Sequence, residues 1–199
     1  MTDPREAIAY HEAGHALVAA QLPNADPVHK VTIVARGAAG GYTRMLPNED
    51  RNLWSKGQFE AMLAVMMGGQ TAEALAFEDI TTGASNDLQN ASKLASKMIT
   101  EYGMSKDLGP RTFETGQATV FLGKDLAQGS NYSDAVLEKI DIEISGLLQR
   151  AQQTAKGIIE AQRTKLTLLA KRLLAKETLE GPELQELLGV SQEEAPLAA

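Results

Sequence analysis

Glu6-Ala7-Ile8-Ala9-Tyr10-His11-Glu12-Ala13-Gly14-His15-Ala16-Leu17-Val18-Ala19-Ala20-Gln21 is the stretch on which the reading of this chain turns. Apolar residues recur at Ile8, Ala9, Ala13, Ala16, Leu17 and Ala20, the spacing of a helix face. Pro4 stands where a first-turn proline is tolerated, and the run from Pro23 to Pro27 stops the pattern. On a helix, His11 and His15 are surface neighbours, about 5–6 Å apart at Cβ. Two imidazoles so placed can grip one metal ion, with Glu12 between them as a base. The plainer alternative is a pair of half-buried histidines with hydrogen bonds of their own. Glu12 and the small pair Ala13-Gly14 weigh against it. Glycine in a helix middle costs about 1 kcal/mol relative to alanine, so close approach of another element would explain Gly14.

Outward from that helix, Val28 to Val34 alternates and is β-branched, which predicts a strand. Arg36 to Gly41 is a Gly/Ala turn, and Gly41 to Leu46 reads as a partnering strand. Pro47 to Asp50 is a turn. Leu53 to Met67 is helical, Gly68-Gly69 punctuates it, and a short helix continues to Phe77. A loop from Glu78 to Ser85 precedes a helix over about Asp87–Tyr102, closed by Gly103. Met104 to Asn131 reads as irregular, with one short strand at Ala118 to Leu122. Ser133 starts a long helix to about Glu160, whose stripe of Val136, Leu137, Ile140, Ile144, Leu147 and Leu148 either packs inward alone or leaves an outer face for neighbouring subunits. A helix over Arg163–Ala175 follows. Glu177 to Leu179 leads into a last helix over Pro182–Leu188, and Ser191 to Ala199 frays.

This is a mainly α, α+β architecture: a zincin-like helical domain with a small sheet or hairpin near the front and a C-terminal helical hairpin behind. Residues 1–132 are expected to be the metallopeptidase core, 133–190 a helical subregion of the same domain, and 191–199 a flexible tail. Aromatics at 5% are few, which favours helix over sheet. A net charge of -7 with no basic face disfavours a nucleic-acid partner. With no cysteine, a disulfide framework and a thiolate zinc site are both excluded. The sequence predicts no signal peptide, no membrane span, and no phosphate-binding loop by which this stretch could itself hydrolyse ATP.

A catalytic zinc takes three protein ligands. His29, in the first predicted strand, follows after a short turn and reads as a strand residue facing solvent or a polar neighbour. Asp87, in Thr82-Gly83-Ala84-Ser85-Asn86-Asp87, is the better candidate: the turn lets backbone approach and the following helix aims the carboxylate. An acid in a first helical turn is also favoured by the macrodipole alone.

Several segments in order carry a resemblance: His11 to His15, Val28 to Ile33, Gly68-Gly69 with Ala72-Glu73, Thr81 to Leu88, Met98 to Ser105, Leu108-Gly109-Pro110 and Lys176 to Leu179. Together they resemble the peptidase domain of the FtsH family of membrane-anchored, ATP-dependent zinc metalloproteases, over roughly residues 5–190. The resemblance implies one Zn2+ held by His11, His15 and Asp87, Glu12 as catalytic base, and Glu73 beside the site orienting a ligand. It implies a homo-hexameric ring fed with unfolded or flexible protein by an AAA ATPase, the route through which ATP would act. It also implies a cytoplasmic location, with the parent protein anchored at the cytoplasmic face of a bacterial inner membrane or its organellar equivalent. On residue type alone, Glu73 reads more readily as a solvated helix acid than as part of the site. Two departures stand out: Gln70 where the family has Arg after Gly-Gly, and Gly40 where Leu is common.

The function expected is metal-assisted amide hydrolysis, with substrate added as a strand on the edge Gly40, Gly41, Tyr42, Thr43. That stretch is also readable as a plain hairpin strand. The rival from another class is a non-catalytic oligomerisation or docking domain with a structural zinc site. Glu12 argues for the enzyme.

Overall fold

A computed structural model describes residues 3–35, 40–47, 53–113 and 132–190. Helix α1 spans Pro4–Gln21; Asp3 caps it, its carboxylate accepting from the Arg5 amide at 3.0 Å. Every residue from His11 to Ala19 is buried. A helix buried all round is a central element rather than a surface one, and its alanines and single glycine keep it thin enough to be surrounded.

Helix α2, Lys56–Phe77, crosses α1. It opens on a capping box: the Gln58 amide donates to Ser55 Oγ at 3.2 Å, and the Ser55 amide donates to Gln58 Oε1 at 2.8 Å. The expected interruption at Gly68-Gly69 is not there; α2 runs through both glycines and is 22 residues long. They serve the crossing instead. A Cβ on Gly68 would stand 2.9 Å from the Gly14 carbonyl oxygen, and one on Gly14 would stand 2.6 Å from the Ala72 Cβ. The two backbones touch where each helix lacks a side chain.

Beyond a 3-10 turn at Thr82–Ala84, helix α3 covers Ser85–Thr100, two residues ahead of the expected bounds at each end. Gly103 takes a left-handed φ of 61° just beyond it. Helices α4, Asp134–Ala161, and α5, Arg163–Lys176, join through Gln162 alone. Helix α4 lies along α2 and α3, and α5 packs on α1. Helix α6 is Gly181–Leu188. The apolar core runs between α1, α2, α4 and α5, with Leu17, Leu63, Ile159, Leu166, Leu169 and Leu173 almost completely buried.

Strands β1, Val28–Thr32, and β2, Tyr42–Met45, form the expected antiparallel pair. A shift of register between Val28 and Lys30 leaves His29 exposed. A third strand, β3 at Thr178–Glu180, corrects the reading of that stretch as a simple lead-in to α6. It pairs antiparallel with β1, so the order is β2-β1-β3. Glu177 enters it from a left-handed φ of 62°, and Leu179 is buried. Three residues are too few for an alternation signal, and their partner is nearly 150 positions away. The expected strand at Ala118 to Leu122, the turn from Pro47 to Asp50 beyond its first residue, and the tail Ser191 to Ala199 lie outside the described residues. Among the described residues, no helix is long and apolar enough to cross a membrane.

Candidate metal centre

His11 and His15 project from one face of α1, their ring centroids 4.7 Å apart. Each ring is fixed from behind. The Nδ1 of His15 lies 2.7 Å from the Val65 carbonyl oxygen on α2. A carbonyl only accepts, so that Nδ1 carries the proton and Nε2 presents a lone pair. The Nδ1 of His11 lies 2.6 Å from Glu73 Oε1, also on α2, which orients His11 the same way. Both Nε2 atoms therefore face inward, 3.0 Å from each other.

Asp87, in the first turn of α3, closes the triangle. Its Oδ2 is 3.1 Å from His11 Nε2 and 3.3 Å from His15 Nε2. Ligand atoms about 2.0–2.1 Å from a tetrahedral ion stand roughly 3.3 Å from one another. The spacings and the two-nitrogen, one-oxygen donor set thus suit a divalent ion such as zinc. Two lone pairs and a carboxylate converging at this range repel unless a cation lies among them. Among the described residues, His11, His15 and Asp87 are the group able to hold a metal.

The electrostatics tell the same story in protons. Burial alone would lower the His11 pKa, but Asp87 and Glu73 overcome it and raise it to about 9. Burial alone would raise Asp87, yet its hydrogen bonds to His11 and His15 hold it well below the usual carboxylate range. Glu73 is lowered too: desolvation opposes this, and the hydrogen bonds from His11 and Thr81 prevail. Glu73 is 1% exposed, so the solvated-acid reading of it does not hold. Its Oε2 accepts from the Thr81 amide at 2.9 Å. One carboxylate thereby aligns His11 and pins the turn that delivers Asp87.

Glu12 lies on α1 between the two histidines and is buried. Burial pushes its pKa up, against the pull of His15 and the Thr43 hydrogen bond. Thr43 Oγ1, on β2, lies 2.7 Å from Glu12 Oε2 and 3.1 Å from the Glu12 carbonyl oxygen. Gly41 approaches the same side chain: a Cβ there would stand 3.0 Å from Glu12 Cγ and 2.6 Å from the Thr32 carbonyl oxygen. A Cβ on Gly40 would meet Ile8 Cδ1 at 2.7 Å, so the departure from leucine there coincides with a space already filled from α1. Gln70 is half-buried on α2.

The sequence pattern places His11, Glu12, His15 and Asp87 together and His29 apart from them, while Glu73 joins them only through the family resemblance. The pattern misses four supports: the Val65 carbonyl behind His15, the Thr81 amide on Glu73, the Thr43 hydroxyl on Glu12, and Gly69, where a Cβ would fall 2.5 Å from His11 Nε2. Gly14 carries the one local signal, since an unexplained mid-helix glycine announces a close neighbour.

The family model for Peptidase family M41 matches residues 1–187. The chain is 55% identical over 179 residues to the ATP-dependent zinc metalloprotease FtsH 1 of Thermomicrobium roseum, covering 90% of this chain and 28% of that protein. It is 55% identical over 179 residues to FtsH 1 of Sphaerobacter thermophilus, covering 90% and 27%. To the FtsH of Slackia heliotrinireducens it is 48% identical over 190 residues, covering 96% and 24%. The chain spans about a quarter of the length of these curated relatives. With the family match running through the His11–His15 pair, the Glu73 support and the Asp87 turn, the chain belongs to peptidase family M41.

Proposed function

We propose that this chain is a zinc metalloendopeptidase domain that hydrolyses peptide bonds of unfolded or flexible proteins. The observation that carries this reading is a buried carboxylate, Glu12, set beside three metal donors whose lone pairs converge. A site that only bound metal would have no use for a base there. His11 and His15 through Nε2, and Asp87 through Oδ2, would hold the ion. Zinc, when bound, would polarise the scissile carbonyl and bring the pKa of water from about 16 to about 7.

Glu12 takes the proton of the attacking water and returns it to the leaving amine nitrogen, so it ends each cycle ionised. Its raised pKa brings it nearer the working pH, which suits both halves of that transfer. Glu73 aligns His11 and keeps its Nε2 basic. The substrate would lie as an added strand on Gly40, Gly41, Tyr42 and Thr43, since β2 is one of the two outer strands of the sheet and is the one bonded to Glu12.

The relatives' names, ATP-dependent zinc metalloproteases, and their greater length support a parent protein with an AAA ATPase module that feeds this domain. In this reading the domain works in a homo-hexameric ring on the cytoplasmic side of the membrane anchoring its parent. The test is zinc content and cleavage of an unfolded protein, with Glu12→Gln as control. One zinc per chain with cleavage lost in Glu12→Gln supports the reading. One zinc with no cleavage by the wild type, even in an assembled ring, sinks it in favour of a structural zinc site. A sizing measurement decides whether the chain forms a ring by itself.

A further inference from the structure

We propose that Thr43 is a positioning residue for Glu12, tying the base to the outer strand β2; the proposal rests on the peptidase reading of the same site. Glu12 has three side-chain torsions and no salt-bridge partner within the described residues to hold it. Among the described residues, the Thr43 hydroxyl is the single hydrogen-bond donor to its carboxylate. That hydroxyl reaches Oε2 at 2.7 Å and the Glu12 carbonyl oxygen at 3.1 Å, so its one proton is shared between a side chain and the backbone that bears it. The contact fixes the plane of the carboxylate relative to α1. It also occupies Oε2 and leaves Oε1 to take a proton.

Gly41 completes the arrangement from the other side. A Cβ at that position would stand 3.1 Å from Oε1, so glycine leaves that oxygen room. Thr43 is in register with Val31 on β1, and its side chain points to α1 while its neighbours Tyr42 and Arg44 point away, as alternation along a strand requires. The strand that would hold the substrate therefore also grips the base. A peptide seated on β2 and the carboxylate that serves it are registered by one side chain, and a shift of β2 would move both together.

The experiment uses the zinc-loaded full chain with an unstructured fluorogenic peptide, comparing wild type, Thr43→Val and Thr43→Ser. Thr43→Val keeps the shape and removes the donor. It should lower kcat about 10–100-fold, since displacing a catalytic group by 1 Å can cost about 10²-fold, while zinc content and KM stay within about twofold. Thr43→Ser restores the donor and should recover most of the lost kcat. In crystal structures of the zinc-loaded proteins, Glu12 should hold one rotamer in wild type and Thr43→Ser and spread over several in Thr43→Val. An unchanged kcat in Thr43→Val overturns the proposal. So does a loss carried wholly by KM, which would make Thr43 a substrate contact only, or a failure of serine to rescue. If Thr43→Val does not fold, Thr43→Ala is judged by the same criteria. Should the wild type prove inactive even in an assembled ring, the peptidase reading fails by itself, and an unmoved Glu12 rotamer in Thr43→Val would separately overturn the role given to Thr43.

Discussion

At the scale of single residues, the site is held by what stands behind its donors. Glu73 has two duties, one oxygen on His11 and one on the Thr81 amide. Glu73→Ala should therefore weaken zinc binding about 10–100-fold, read by competition with a chromogenic chelator. An affinity within twofold of wild type would show that Val65, Asp87 and packing suffice. The His11 pKa makes a second prediction, for the zinc-free protein. It rises from 6.5 to about 9 on folding, so the proton is bound more tightly in the native state. That stabilisation is complete below pH 6.5 and is lost as pH climbs through about 9. Asp87 and Glu73 are shifted down, so what they contribute is lost in acid instead. Melting temperatures in chelator should thus fall between about pH 6.5 and 9, and much less with zinc, where the metal replaces the proton. Parallel curves with and without zinc would contradict this. The donor types themselves are legible from sequence, because two histidines four apart on a helix have few other uses. Their tautomers are not, since those depend on a carbonyl 50 positions away and a carboxylate 62 positions away.

At the scale of elements, the crossing of α1 and α2 governs the site, because each helix supplies either donors or their backing. Gly14→Ala would set a methyl 2.6 Å from the Ala72 Cβ and closer still to the Gly68 carbonyl. The helices would have to separate, at a cost of about 1–3 kcal/mol in chemical denaturation, with weaker zinc binding as the His11 ring leaves Glu73. Gly157→Ala is the contrast: a Cβ there, towards the C-terminal end of α4, meets nothing within 4 Å. It should stabilise by roughly 0.5–1 kcal/mol, the difference in helix propensity. Opposite signs for two identical substitutions would separate packing from propensity; equal signs would refute the crossing as described. Periodicity alone finds the helices but misjudges Gly68-Gly69. Glycine is a breaker by propensity, and only the neighbour at Gly14 turns it into a contact.

At the scale of the whole molecule, three distant stretches meet at the candidate metal centre: α1, α2 with its following turn, and α3. Zinc should therefore stabilise the entire fold. Free zinc at 1,000 times its Kd adds about 4 kcal/mol if only the native state binds. Chelation should lower the melting temperature of the wild type by several degrees and leave an Asp87→Ala variant nearly unmoved. An equal response in both would place the metal elsewhere. The sheet makes a comparable long-range closure, with β3 from the C-terminal region on one side of β1 and β2 on the other. The helical content, the His-Glu-x-x-His face, the acid at Asp87 and the first hairpin were determined by sequence alone, because each rests on spacing within one turn or one strand. The tertiary structure decided the rest: that Asp87 reaches the histidines, that Gly14 and Gly68 touch, that β3 joins β1, and that Thr43 grips Glu12. Each of those depends on where two separated segments come to lie, and no local periodicity encodes that distance.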